Sequence, residues 1–245
     1  MSKTKIIIAA LAGIVIIASA WLLAKGITNF REGEPKINVT GMAEKQITSD
    51  LIVWNLTVSA QAEQRLAAYE QFKSSARILH QYLQKHAIPA SSISKSSVDI
   101  SRETKSFYDT KSQQYITVNA GYNVSQTVTV RSTELNKVEQ VYQSISELYN
   151  QGIDFSSSAP LYYYTKMNDL KMEMLNKASA NAYERAQTIA KGSNASIGSM
   201  VSSSMGVFQI VGLNSDEDYS WGGTFNTSSK IKVASITVKT TYRVD

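Results

Sequence analysis

The sequence predicts an α+β protein: an N-terminal transmembrane helix followed by two small lobes of mainly antiparallel sheet packed with long helices, ββαββ then αβαββ. Three observations predict it. Residues 6–24 form an uncharged apolar run, the spacing of apolar residues after residue 36 alternates between two and about 3.6, and no cysteine is present to staple a loop-rich fold. The implied divisions are a signal-anchor at 1–25, a linker at 26–36 and an exported domain at 37–245, with sub-lobes at 37–131 and 132–245.

Ile6 to Ala24 reads IIIAALAGIVIIASAWLLA and is flanked by Lys3, Lys5 and Lys25. As a helix the run would span about 28 Å, close to the ~30 Å hydrocarbon core of a bilayer. The lysines ahead of it then leave Met1–Lys5 in the cytoplasm, with the protein anchored in the inner membrane and its main domain in the periplasm or exterior. The alternative is a signal peptide cleaved after Ala20, which would free a soluble periplasmic protein, since Ala18-Ser19-Ala20 has the small-residue form of a cleavage site. Continuation of the apolar run through Trp21-Leu22-Leu23-Ala24 favours the anchor.

Beyond the linker, KINVTGM (36–42) and DLIVWNLTVSA (50–60) alternate and read as strands, the second through Ile52, Trp54, Leu56 and Val58. Residues 62–87 then place Leu66, Tyr69, Phe72, Ala76, Leu79, Leu83 and His86 three or four apart, one face of a helix that Ile88-Pro89 stops. Residues 94–102 and 115–131 return to strand character, joined by ETKSFYDTKSQQ as a hairpin connection. A second helix starts with Thr133 as N-cap, carries Leu135, Val138, Val141, Tyr142, Ile145 and Leu148 on one face, and ends before Gly152. IDFSSSAPLYYY (153–164) is a strand. Thr165 caps a third helix with an inner stripe of Met167, Leu170, Met174, Ala178, Ala182, Ala186 and Ile189, and strands at 197–212 and 230–244 flank the loop NSDEDYSWGGTFNTSS (214–229).

The formal charge is +5, from 25 basic and 20 acidic residues. Without the first 35 residues it falls to +3, with basic side chains dispersed among Ser, Thr and Gln. That pattern offers no phosphate-binding face, and no nucleic-acid partner is expected. Absence of cysteine excludes thiolate nucleophiles and cysteine-ligated metals. His80 and His86, the two histidines, stand about 240° apart around their helix and cannot grip one ion. No GxSxG elbow and no glycine-rich loop opening a helix is present, so neither a serine hydrolase nor a phosphate-binding enzyme is indicated. Asp216, Glu217 and Asp218 read as a solvated loop, and Tyr162–Tyr164 as core or subunit interface ahead of a ligand platform. The expectation is a non-enzyme with no catalytic residues, metal or cofactor. The candidate contact is Tyr219, Trp221 and Phe225, aromatics in a long loop that either pack on their own domain or meet an oligomer partner.

INVTGMAEKQITSDLIVWNLTVSAQAE and LNKASANAYERAQTIAKGSNASIGSM together resemble the SIMPL-domain family, whose most recognisable feature is an alanine-repeat helix running into Gly and Ile-Gly. Ala178, Ala182, Arg185, Ala186, Ala190, Lys191 and Ile197-Gly198 supply it here. The family's Gly-x-Gly or Gly-x-Ala near the first strand appears as Gly41-Met42-Ala43, which touches turn geometry and no chemistry. The resemblance implies a bacterial envelope protein, in a family where some members are linked to oxidative-stress defence and one forms a ring-like, channel-like oligomer. It supplies no catalytic motif. The expectation is therefore a self-assembling envelope protein with a structural or stress-protective role, held to the membrane by residues 6–24. The alternative is a periplasmic binding module that grips a peptide, glycan or lipid with the 214–229 loop; the sequence names no small-molecule ligand.

Overall fold

The computed structural model describes residues 13–26 and 35–245. Helix α1 (13–26) is the described part of the apolar run. Residues 6–12 of the expected anchor lie outside the described residues, and so does most of the expected linker. Among the described residues no helix is long and apolar enough to cross a membrane.

Residues 36–244 run β1 (Lys36–Thr48), β2 (Leu51–Ala62), α2 (Arg65–Lys85), β3 (Ile93–Lys95), β4 (Asp99–Asp109), β5 (Gln114–Ser132), α3 (Leu135–Ser144), β6 (Asp154–Ser157), β7 (Leu161–Tyr163), α4 (Met167–Gly192), β8 (Ile197–Met205), β9 (Gln209–Gly212) and β10 (Ile231–Val244). This part of the chain is one domain. It is α+β, with two sheets. One has the order β1-β10-β8, with β9 also antiparallel to β10. The other has the order β3-β5-β2-β6, with β4 on β5 and β7 on β2. Two compact units are discontinuous in sequence: one takes the described residues up to Ala43 with Leu175–Gly206 and Thr237–Asp245, the other takes Glu44–Met174 with Val207–Ile236.

The second unit is organised by β2. Its alternate residues Ile52, Trp54, Leu56, Val58 and Ala60 are buried, as the period-two spacing requires. β5 pairs along one side of it, from Ile52 opposite Ser132 to Ala62 opposite Tyr122. β6 and β7 share the other side. The indole N–H of Trp54 donates to Ser157 Oγ at 2.9 Å, and its ring meets Tyr142 edge-on at 5.8 Å. Ala68, Phe72, Leu79, Tyr82 and Leu83 of α2 and Leu135, Val138 and Val141 of α3 join this core.

Several expected details are corrected. Leu66 is 71% exposed and Tyr69 is exposed too, because the inner stripe of α2 begins at Ala68. The second helix is α-helical only to Ser144 and continues as a 3-10 turn over Ile145–Gln151 before Gly152, whose φ is 71°. Glu134 takes the N-cap position without a side-chain cap bond, its N–H satisfied by Ser132 Oγ, so Thr133 is not the cap. Thr165 donates its N–H and hydroxyl to the Asp50 carboxylate at 2.7 and 2.9 Å. Pro160 lies in the break between β6 and β7, and Gly206 follows the end of β8, so two expected strands are each two shorter ones.

In the first unit small residues do the packing. Ala178, Ala182, Ala186 and Ala190 of α4 are buried, Ala182 and Ala186 in a cluster with Val39 and Tyr242, while Ile189, expected on the same stripe, is exposed. Gly41 is a strand residue and not a turn residue, and a methyl group there would overlap the Ala178 carbonyl and the backbone and Cβ of Ala182. Only glycine lets strand and helix backbones come this close. The same helix supplies polar partners to β1: Asn181 Oδ1 accepts the Met42 N–H at 3.1 Å, and Arg185 donates to the Thr40 carbonyl at 2.9 Å.

Gly41→Ala is expected to destabilise the fold by about 1–3 kcal/mol, as overpacking does, lowering the thermal midpoint by roughly 2–12 °C. Circular dichroism melting measures it, and an unchanged midpoint would show that the strand can move off the helix at no cost.

Candidate functional site

The loop between β9 and β10 is held by its own polar network. Gln209 uses both ends of its amide, donating to the Ser220 carbonyl at 2.7 Å and accepting the Thr224 N–H at 2.6 Å. Glu217 accepts from the Gly212 N–H at 3.0 Å and from the Asn226 amide, and these contacts, the backbone one first, hold its carboxyl below the usual range. Asn226 accepts the Ser229 N–H at 2.8 Å. Beneath it lies Lys232, whose buried Nζ donates to the carbonyls of Tyr162 and Asn226, both at 2.6 Å. Burial pushes the lysine's pKa down. Glu217, though exposed, is thus a hydrogen-bonded structural member of the loop.

On this frame Trp221 is 99% exposed, and Tyr219 and Phe225 each stand about half out of the surface. The three share one loop but make no ring contact with each other among the described residues. Lys171 sits 5.7 Å from the Phe208 ring centre and 5.9 Å from that of Phe225, a cation–π bracket at the loop's base.

A second aromatic surface lies where the sequence reading placed a polar connection. β4 and β5 continue as a two-stranded ribbon to a short turn, pairing Lys105 with Val118, Phe107 with Ile116 and Tyr108 with Tyr115. Phe107, Tyr108, Tyr115, Ile116 and Val118 are all exposed, Tyr115 by 78%. The Asp109 carboxylate fastens the turn by accepting from Ser112 Oγ at 2.7 Å and from the N–H groups of Lys111 and Ser112, which holds its carboxyl low. At the ribbon's base Gly121 has φ +111°, and a Cβ there would strike the Ala62 carbonyl. The strand expected from Tyr115 onward is β5, whereas β4 runs past the expected Arg102 to Asp109, its last residues hidden among the Glu, Thr, Lys and Ser of the expected connection.

A cleft of about 800 Å³ is lined by Thr48–Asp50, Thr133–Lys137, Thr165, Lys166 and Lys230. Its charges are largely matched: Lys137 pairs with Glu134, and Lys230 reaches Glu139 at 2.8 Å and Asn136 at 2.7 Å. Tyr162 donates to Glu139 at 2.9 Å, and burial, then this bond, pushes its hydroxyl up to about 12. Ser49 is buried with its hydroxyl unpartnered, but no histidine lines the cleft and both Asp50 oxygens are engaged by Thr165. His86 packs on Tyr82 at 4.4 Å at the end of α2. Among the described residues no cluster of His, Asp and Glu could hold a metal ion.

No curated protein matches the chain. The family model described as SIMPL, protein of unknown function (DUF541), matches residues 37–244, which takes in both sheets, the aromatic loop and the ribbon. The chain therefore belongs to the SIMPL family.

Proposed function

We propose that this protein is a non-catalytic, self-assembling component of the cell envelope with a structural or stress-protective role. The observation that carries it is the β4–β5 ribbon. An isolated two-stranded hairpin is marginal in water, yet this one exposes Phe107, Tyr108, Tyr115, Ile116 and Val118 and has a hydrogen-bonded turn at its tip. A ribbon of that composition gains stability when its apolar face is covered, and other copies of the chain are the cover always at hand. Residues 6–24, by their length and lack of charge, support tethering to the inner membrane with the domain on its outer side. N-terminal sequencing of the mature protein tests the tether, and Trp21 as first residue would replace it with a soluble periplasmic form.

Trp221 favours a second reading, in which the same loop grips a peptide, glycan or lipid. A large aromatic displayed in full by a hydrogen-bonded loop is a ready-made contact.

The full chain in mild detergent is expected to scatter light as a multimer, and Phe107→Ser with Ile116→Ser to lower its mass without changing its circular dichroism. A monomer at every concentration would sink the assembly reading. Replacing Tyr219, Trp221 and Phe225 together with Ser is expected to leave that mass unchanged if the loop serves another partner. A fall in mass would assign the loop to the assembly instead.

A further inference from the structure

The register of the second sheet sets Tyr122 of β5 between Ala62 of β2 and Arg102 of β4. Residues opposite each other on neighbouring strands share a face, so the Arg102 side chain stands beside the Tyr122 ring. That ring is packed against the core that α2 covers. α2 begins at Arg65, three residues after Ala62, and brings a second arginine to the same ring. The guanidinium carbons of Arg65 and Arg102 lie 5.4 and 5.9 Å from the ring centre, which puts them within about 11 Å of each other. Far apart in sequence, the two cations converge only through the fold.

Nothing in the chain neutralises the pair. Among the described residues neither arginine takes part in an ion pair, and neither do their sequence neighbours Glu63 and Glu103. The first turn of α2 carries no acidic side chain, and Gln64 ahead of it makes no side-chain cap bond. The Tyr122 hydroxyl has no hydrogen-bond partner among the described residues. Both arginines are exposed, whereas the ring they share is half-buried and held by the core. Two cations left uncompensated at one spot make a positive potential that suits an anion.

We propose that Arg65, Arg102 and Tyr122 form a binding site for a phosphate group. Each guanidinium carries a planar fork of N–H donors that fits phosphate through two hydrogen bonds at once. A single fork already matches the two oxygens of a carboxylate, which lie in one plane. The tetrahedral oxygens of a phosphate can take two forks and a phenol that arrive from a helix and two strands. Contact with the ring face orients the arginines before the ligand arrives. The phosphate is either free or the headgroup of an anionic lipid, since both offer the same oxygens. The site uses neither the ribbon nor the aromatic loop, so it stands or falls apart from self-assembly.

Calorimetric titration of the full chain in an uncharged, phosphate-free detergent at constant ionic strength tests it. The two probes are inorganic phosphate in solution and phosphatidic acid mixed into the micelles. Saturable binding of at least one probe is expected, and none of acetate. Tighter binding of inorganic phosphate assigns the site to the free ion, and tighter binding of phosphatidic acid to a headgroup; either result supports the site. Arg65→Gln and Arg102→Gln are each expected to raise the Kd about tenfold, as loss of a charged donor does, with unchanged circular dichroism. Arg102→Lys is expected to cost nearly as much, because an ammonium keeps the charge but not the fork. No saturable binding of either probe, acetate bound as well as phosphate, or wild-type affinity in the protein carrying both Arg65→Gln and Arg102→Gln would overturn the site.

Discussion

The unit built on the second sheet depends on the buried face of β2. Ile52, Trp54, Leu56, Val58 and Ala60 present an unbroken apolar row to α2 and α3, and a slip of one residue would turn all of them to the other face. Trp54 fixes the register further, since its indole reaches a hydroxyl on β6 and its ring meets Tyr142 on α3. Burying a chain of that size at the centre fixes everything paired to it. β5 is 19 residues long and β2 only 12, so once their register is set, the excess of β5 has no place in the sheet core. The excess folds with β4 into the exposed ribbon, and the bulge that allows this falls beside Gly121, where the backbone takes a conformation other residues avoid. The exposed aromatic ribbon is thus a consequence of unequal strand lengths.

The other unit is built on smallness. Gly41 against Ala178 and Ala182 brings backbones into contact, and at that distance the strand's polar groups meet helix side chains within hydrogen-bond reach. Asn181 and Arg185 can therefore satisfy β1, which is one reason an alanine stripe and polar neighbours occur on one helix. β8 pairs with β10 along one side, and among the described residues no strand pairs with its other side.

Most elements were legible from periodicity. The strand at β2 and the stripes of α2 and α4 rest on large apolar residues at the right spacing, which is a strong signal. What the sequence hid follows from weak contrast. β1 runs to Thr48 because Gly41, Ala43 and Ile47 continue the inward alternation begun by Val39, but glycine and alanine barely register as apolar. The last residues of β4 looked like part of the connection because a strand wet on both faces has no hydrophobic period to detect. Leu66 and Ile189 were placed inward since they keep the helical spacing at the stripe ends, where nothing in the sequence says that the packing surface has stopped. At the aromatic loop the residue types were visible, but Gln209, Asn226 and Lys232, which hold it, were not: their roles come from partners that no spacing rule relates.

That hidden support bears on function. A loose loop would spend its binding energy on being ordered, at about 1–2 kcal/mol per residue fixed. Here Gln209, Glu217 and Asn226 have already satisfied the backbone groups that ordering would otherwise need to pair, and Lys232 closes the base from below. Asp109 does the same for the ribbon's turn. Trp221 and Tyr115 are therefore presented on preorganised frames, and contact with a partner can convert buried apolar area into affinity with little conformational cost. Buried polar networks of this kind add little to a hydrophobic core and can cost stability when incomplete. Their placement under exposed aromatics puts rigidity where the surface displays its large apolar side chains.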